Sequence, residues 1–200
     1  MSNPVLLDID VKTDIIREVT HQHLFHSIQD ALKTKYGEYM VSGPWLQTAE
    51  KQRSILKKID NISCIASDDA SFDLNDKVET GNQGNMIKGI PSLGYKLPMM
   101  YTLGLKENHL DWESMLNLWS YNIARKLCLQ DNIGAIEEGA DADIVIIEPG
   151  RIIRSRLPLE TNLNWYPFEY DLDGWARDVF IRGKHIVKNG HINKAGEENE

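Results

Sequence analysis

Gly134-Ala135-Ile136-Glu137-Glu138-Gly139-Ala140-Asp141-Ala142-Asp143-Ile144-Val145-Ile146-Ile147-Glu148-Pro149 is the stretch on which the reading of the fold turns. Gly134 and Gly139 are turn residues that reach positive φ without a Cβ penalty. The β-branched run 144–147 reads as a short buried strand. Pro149 cannot donate to a ladder, so it is expected to end that strand. Before Gln130 strand-like runs alternate with stretches at helical spacing; beyond it the texture is short strands and turns. The pattern predicts an α/β protein in which mixed strands and helices come first and a small β segment follows.

Working outward, the C-terminal side predicts a hairpin over 177–192. Val179 and Ile181 alternate with polar residues, and Lys188-Asn189-Gly190 supplies a turn. Residues 193–200 form a charged tail. On the N-terminal side, Asp111 is placed to cap a helix with Glu113 in its first turn. Met115, Leu118, Trp119, Ile123 and Leu127 give that helix an apolar stripe, read as core. Residues 97–105 predict a shorter helix, and residues 70–92 a long polar loop. Residues 62–67 read as a buried strand with Asp68 and Asp69 at its C-terminal end. Thr48 caps a helix running to about Ile59. Ser42-Gly43-Pro44 marks a loop, residues 29–36 a short helical or irregular piece, and residues 14–25 a possible strand.

Composition narrows the functional classes. With 42% hydrophobic and 26% charged residues the chain is an ordinary globular protein. A net charge of −8 argues against a nucleic-acid partner, because phosphate binding needs a basic face. No apolar run is long enough to cross a bilayer, and residues 1–12 lack a secretory pattern. Cys64 and Cys128 sit among apolar neighbours and read as two reduced core thiols, which points to the cytoplasm.

Several short motifs then fall in one order. Arg17-Glu18-Val19-Thr20-His21-Gln22-His23-Leu24 looks like E-[TV]-[CT]-P-[QH]-[YH]-L, with His21 in place of the Pro, and Ser42-Gly43-Pro44-Trp45-Leu46 loosely resembles S-P-P-L. Ala66-Ser67-Asp68-Asp69-Ala70-Ser71-Phe72 resembles G-S-D-H-x-x-F, with Ala66 for Gly and Asp69 for His, and Lys77 and the glycine-rich segment 82–94 come after it. Asn122-Ile123-Ala124-Arg125-Lys126 is close to N-x-A-K. Glu160-Thr161 with Tyr166-Pro167-Phe168-Glu169 is similar to a segment ending N-P-F-E-G, and Ile181-Arg182-Gly183-Lys184 carries the R-G-K of a final hairpin. In this order, and closed by residues 134–149, the motifs resemble the C-terminal portion of the cyclic amidohydrolases: the dihydropyrimidinase, hydantoinase, allantoinase and dihydroorotase group.

The resemblance implies the C-terminal part of a (β/α)8 metal-dependent hydrolase barrel over residues 1–130. A segment of a small β domain would follow over 131–192. It implies hydrolysis of a cyclic amide C–N bond with zinc as cofactor. The family's H-x-H pair, carboxylated lysine and two later histidines would all precede Glu18, outside this chain. Asp68 is the position that matches the family's metal-binding proton acceptor, a carboxylate being able to serve as oxygen ligand and base together. Ser42 and Lys88 match positions on the substrate side. Asp69 departs from the family's usual His. His21, Gln22 and His23 make an H-x-H spacing that on a strand would face one ion, with His26 near; their surroundings read instead as partly exposed polar residues without metal duty. Trp165, Tyr166 and Phe168 read as packing or an oligomer contact. Three functions follow: a truncated cyclic amidohydrolase inactive alone, a non-catalytic oligomerising protein, or one half of a split enzyme. The expected partners are a cyclic amide, a second copy or a complementary chain.

Overall fold

The structure is a computed structural model that describes residues 15–107, 109–151, 163, 165–169 and 171–193. The expectations for residues 1–14, for Glu160-Thr161 and for 194–200 lie outside the described residues. Two sheets organise the rest. Strand β1 (Glu18–Thr20) pairs in parallel with β2 (Cys64–Ala66), in the register Glu18↔Cys64, Val19↔Ile65, Thr20↔Ala66. Strands β3 (Ile144–Arg151), β4 (Asp173–Ile181), β5 (Lys184–Lys188) and β6 (His191–Ile192) form an antiparallel meander in that order. A parallel pair needs a crossover. Here it contains α1 (His21–Phe25), α2 (Ile28–Ala31) and α3 (Ala49–Leu56).

Local chemistry explains the helix starts. Ser27 and Asp30 cap α2 reciprocally. Thr48 accepts from Lys51 N at the start of α3, and Asp111 accepts from Ser114 N at the start of α6 (Trp112–Leu116), both as the sequence indicates. Helix α4 (Leu74–Asn82) lies inside the expected 70–92 loop. Asp73 caps it by accepting from Asn75 N, and the fully buried Lys77 anchors it. Its turns are rich in Asn, Asp and Gly, which hid it. After α5 (Lys96–Met99) the helix continues as a π-segment, Met100–Lys106. A second π-segment, Asn117–Tyr121, separates α6 from α7 (Asn122–Lys126). A π-turn holds more residues than an α-turn and so rotates the buried face. Met115 and Leu118 reach the core, while Leu127, expected on the same stripe, is 57% exposed.

Several expectations need correction. Residues 14–25 hold only three strand residues, and the chain turns helical at His21. The β3 run is not buried: Val145 is 51% exposed, because β3 is the outer strand of its sheet. Pro149 does not end β3; it falls at a register shift between Glu148 and Arg151, where a missing donor costs little. Cys64 is a core thiol, but Cys128 is exposed at φ +58 in the turn that leaves α7.

Two apolar clusters hold the structure together. One joins Val19, Leu24, Ile55, Ile62, Ile65, Met100 and Met115 beneath the parallel pair. The other surrounds Trp165 and Phe168, each 1% exposed, with Ile90, Tyr95, Met99 and Leu172. The Trp165 indole donates to Phe72 O at 2.9 Å, and Lys35 N donates to Glu169. Residues 165–169 thus strap α4 and the α1–α2 region together, and the aromatic cluster is packing. The meander is tied on by Thr102, whose hydroxyl accepts from Asp173 N at 2.8 Å, and by the Lys106–Asp173 ion pair.

Phe168→Ala is expected to cost about 3–5 kcal/mol, as large-to-small core changes do. Urea unfolding at unchanged slope measures it. A loss below about 1 kcal/mol would show that the strap is not part of the core.

Candidate functional site

Parallel pairing sends both chains out on one edge, so α1 and the loop after β2 start side by side. His21 Nδ1 approaches Ala66 O at 3.4 Å, and Gln22 Nε2 donates to Ser67 O at 3.0 Å. Ser92 Oγ donates to the same carbonyl at 2.8 Å. Asp68 leaves β2 at φ +47, a left-handed conformation that Asp tolerates better than most residues. Its carboxylate is exposed on this edge, at the end of a strand from the buried pair.

Asp69 has a separate, structural task. Its carboxylate accepts from Ser92 N at 2.6 Å, Leu93 N at 2.8 Å and Ser71 Oγ at 3.0 Å. A histidine there could not accept all three. Only the Ser71 tie is local; the Ser92 and Leu93 donors lie 23 and 24 residues further on, so the sequence alone gives little signal for this role. The loop of Lys88 is joined to that of Ser42, since Gly89 N donates to Val41 O at 2.7 Å. Gly89 must be glycine: a Cβ there would lie 2.4 Å from Ala70 O. Lys88 itself is exposed, and its stem passes over Gly43, where a Cβ would meet Lys88 Cδ at 3.6 Å. Ser42 is buried and donates to Pro44 O at 2.7 Å. The three loops carrying Asp68, Ser42 and Lys88 are therefore joined into one surface by backbone and side-chain hydrogen bonds.

The histidines differ from expectation. His21, His23 and His26 are all buried, at 0%, 2% and 1% exposure, and they lie on or beside a helix. On a helix, i and i+2 point apart, so the H-x-H spacing cannot face one ion. His26 packs edge-on to Phe168 at 4.8 Å. Burial pushes the imidazole pKa down to about 3 for His21 and about 4 for His26, and lowers that of His23. Lys77, also enclosed, is lowered to about 8 by burial; its ammonium donates to Ile87 O at 3.1 Å and lies 5.7 Å from the Trp165 ring centroid. Among the described residues no group of three or more His, Cys, Asp or Glu is placed to hold a metal ion. Asp68 therefore stands as a single carboxylate, and these residues do not by themselves fit a zinc site. A cavity of about 410 Å³ beside Phe25, Asp30, Lys33 and Leu103 is lined by none of Asp68, Ser42 or Lys88.

Comparisons with known proteins bear on the family and the fold. Residues 47–186 match the model of the amidohydrolase family. The D-hydantoinase of Geobacillus stearothermophilus is 27% identical over 135 residues, 64% of this chain and 28% of that protein. The dihydroorotase of Pyrococcus horikoshii is 27% identical over 177 residues, 88% of this chain and 40% of that one. The solved L-hydantoinase from Arthrobacter aurescens superposes with a TM-score of 0.85 at 21% identity, over 97% of this chain and 45% of its own. An inactive dihydroorotase-like domain from Chaetomium thermophilum superposes at 0.56 with 14% identity, over 89% of this chain and 45% of its own. The chain spans less than half the length of these relatives.

The buried histidines give a signed pH dependence. Their folded pKa values lie below the ordinary 6.5, so below that pH the unfolded chain takes up protons the folded chain refuses. Stability is complete above pH 6.5 and is expected to fall as pH drops towards about 4, by about 1.4 kcal/mol per pH unit for each histidine. Urea midpoints from pH 7.5 down to 4.5 measure it, and a flat profile would contradict neutral burial.

Proposed function

The chain belongs to the amidohydrolase family, and on that premise we propose that it is the C-terminal portion of a hydantoinase- or dihydropyrimidinase-type hydrolase of cyclic amides. Residues up to about 130 would supply the last strands and helices of a (β/α)8 barrel, and 131–192 part of a small β domain. The observation that carries the reading is Asp68: an exposed carboxylate at the C-terminal end of a parallel strand, where barrel enzymes keep their chemistry. Its positive φ is a local cost of the kind that clusters at functional sites.

Asp68 would accept a proton from the water that adds to the ring carbonyl carbon and return it to the nitrogen as the C–N bond breaks. The products are a carboxylate and an opened amide arm. Ser42 and the backbone around Lys88, joined through Gly89 and Val41, would hold the ring's polar edge. Family members in this group suggest zinc, yet no ligand set for it is found among the described residues. The remaining ligands would have to come from a complementary polypeptide or from further chain. The isolated chain is then inactive.

A second reading also has support. The inactive dihydroorotase-like neighbour and the lone Asp68 both suit a non-catalytic protein that binds copies of itself or a partner. Exposed Val145, Ile146 and Ile181 on the outer sheet offer a surface for this. Metal analysis of the purified assembly separates the two readings.

The isolated chain is expected to give no turnover of hydantoin, dihydrouracil, allantoin or dihydroorotate with added zinc. In an assembly completed by the missing ligands, Asp68→Asn should lower kcat by ~10²–10⁴ while the complex still forms. Normal turnover by that variant would place the base elsewhere.

A further inference from the structure

His23 is 2% exposed and lies between the end of β1 and the Ser42 loop. Thr20 Oγ1 stands 2.6 Å from its Nδ1, and Pro44 O stands 3.1 Å from its Nε2. A carbonyl oxygen can only accept, so Nε2 must carry the hydrogen. In the neutral ring Nδ1 is then bare and takes the Thr20 hydroxyl hydrogen. Pro44 O also accepts from Ser42 Oγ at 2.7 Å. One carbonyl therefore uses both of its lone pairs, one on the imidazole and one on Ser42. Asp68 is one of the charges that bear on this ring.

This has a consequence for Ser42. Its single hydrogen is committed to Pro44 O, so towards a ligand its oxygen can act only as an acceptor. From this chain of contacts we infer that His23 is a positioning residue: it fixes the Pro44 carbonyl, holds Ser42 as a hydrogen-bond acceptor, and so selects a ring N–H at that point of the substrate. The choice of an N–H rests on the proposed substrate side of Ser42; the positioning does not. Thr20 makes the link rigid, because it is itself a strand residue paired with Ala66. The resulting relay runs from sheet to hydroxyl to imidazole to loop.

The test begins with the unaltered chain. Long-range ¹H–¹⁵N spectra of ¹⁵N-histidine-labelled protein at neutral pH should show His23 as the Nε2–H tautomer; an Nδ1–H or charged ring overturns the inference. Trp45 adjoins Pro44 and is 57% exposed, so 5-fluorotryptophan reports the loop among five tryptophan signals. His23→Leu should shift or split the Trp45 line and leave the other four in place. His23→Gln, whose amide can donate to Pro44 O, should restore it. An unmoved Trp45 line in a folded His23→Leu protein overturns the inference. If that variant unfolds, the tautomer of the unaltered chain and the Gln variant decide.

In a completed, active assembly, methylating the ring nitrogen should raise KM about tenfold, the scale of one lost hydrogen bond. His23→Leu should erase that discrimination and His23→Gln keep it. Discrimination unchanged in His23→Leu overturns the selection of N–H. If the tautomer and Trp45 results hold while no assembly turns over, the proposed activity has failed and the positioning role has not.

Discussion

The register of two short parallel strands sets everything else in this chain. Pairing Val19 with Ile65 points both side chains into the cluster with Leu24, Ile55 and Met100. The alternation then turns Glu18, Thr20, Cys64 and Ala66 to the opposite face. A slip by one residue would exchange the two sets and push the Glu18 carboxylate among aliphatic carbons. The same register decides where the two chains emerge. Because the strands run in parallel, His21 and Ser67 begin their segments side by side, and Asp68 follows within the reach of the α1 helix. The site is a consequence of a packing constraint on apolar residues that take no part in it.

What holds the loops on that edge is a set of shared acceptors. Ser67 O takes hydrogens from Gln22 and Ser92, Pro44 O takes them from Ser42, with His23 completing the pair, and the Asp69 carboxylate takes three donors. Each shared acceptor joins segments distant in sequence. Buried polar groups are costly when unpaired, so such nodes are rigid once formed. The histidines contribute by staying neutral, since a charged imidazole at their depth would have to be desolvated. Lys77 obeys the same rule from the other side: burial lowers its proton affinity, while the Ile87 carbonyl and the Trp165 ring compensate its charge.

Elements with strong local signals were legible in the sequence. Thr48 and Asp111 cap the helices assigned to them, the 62–67 run contains β2, and Asn189-Gly190 makes a turn with positive φ at both residues. The turn at Arg182-Gly183 has the same form. The errors came where tertiary packing outweighed pattern. The residues around His21 carry strand formers, yet the polar side chains after Thr20 find partners on β2 and the Ser42 loop only by coiling into a helix. Helix α4 was hidden because Asp, Asn and Gly dominate it, and its stability comes from the cap at Asp73 and the burial of Lys77. The π-segments leave no mark in a window of apolar spacing, so the spacing puts Leu127 on a stripe from which the helix has already rotated away. For the candidate site, motif order puts Asp68, Ser42 and Lys88 forward as candidates, and the fold ties the loops of Ser42 and Lys88 together. That Asp69 is a loop tie and His23 a bridge could be seen only once their partners were placed.

In the outer meander two motifs far apart in sequence meet. Asp143 accepts from Arg182 N at 2.7 Å, and Ala142 O accepts from Gly183 N at 3.0 Å. Two short motifs far apart in sequence, the Asp-Ala-Asp before β3 and the Arg-Gly of the hairpin, are thus one contact. Arg182 sits at φ +48, a conformation an L-residue adopts at a cost, and the Asp143 carboxylate on its amide helps hold it there. Changing either motif alone strands the other. The same reasoning separates β3 from the rest of its sheet. Its inner side is fixed by β4, while its outer side carries backbone groups unpaired among the described residues, Val145 and Ile146 in contact with water, and a proline at a bulge. A strand built this way is tolerated at an edge, where a missing donor costs least and further backbone can still be added.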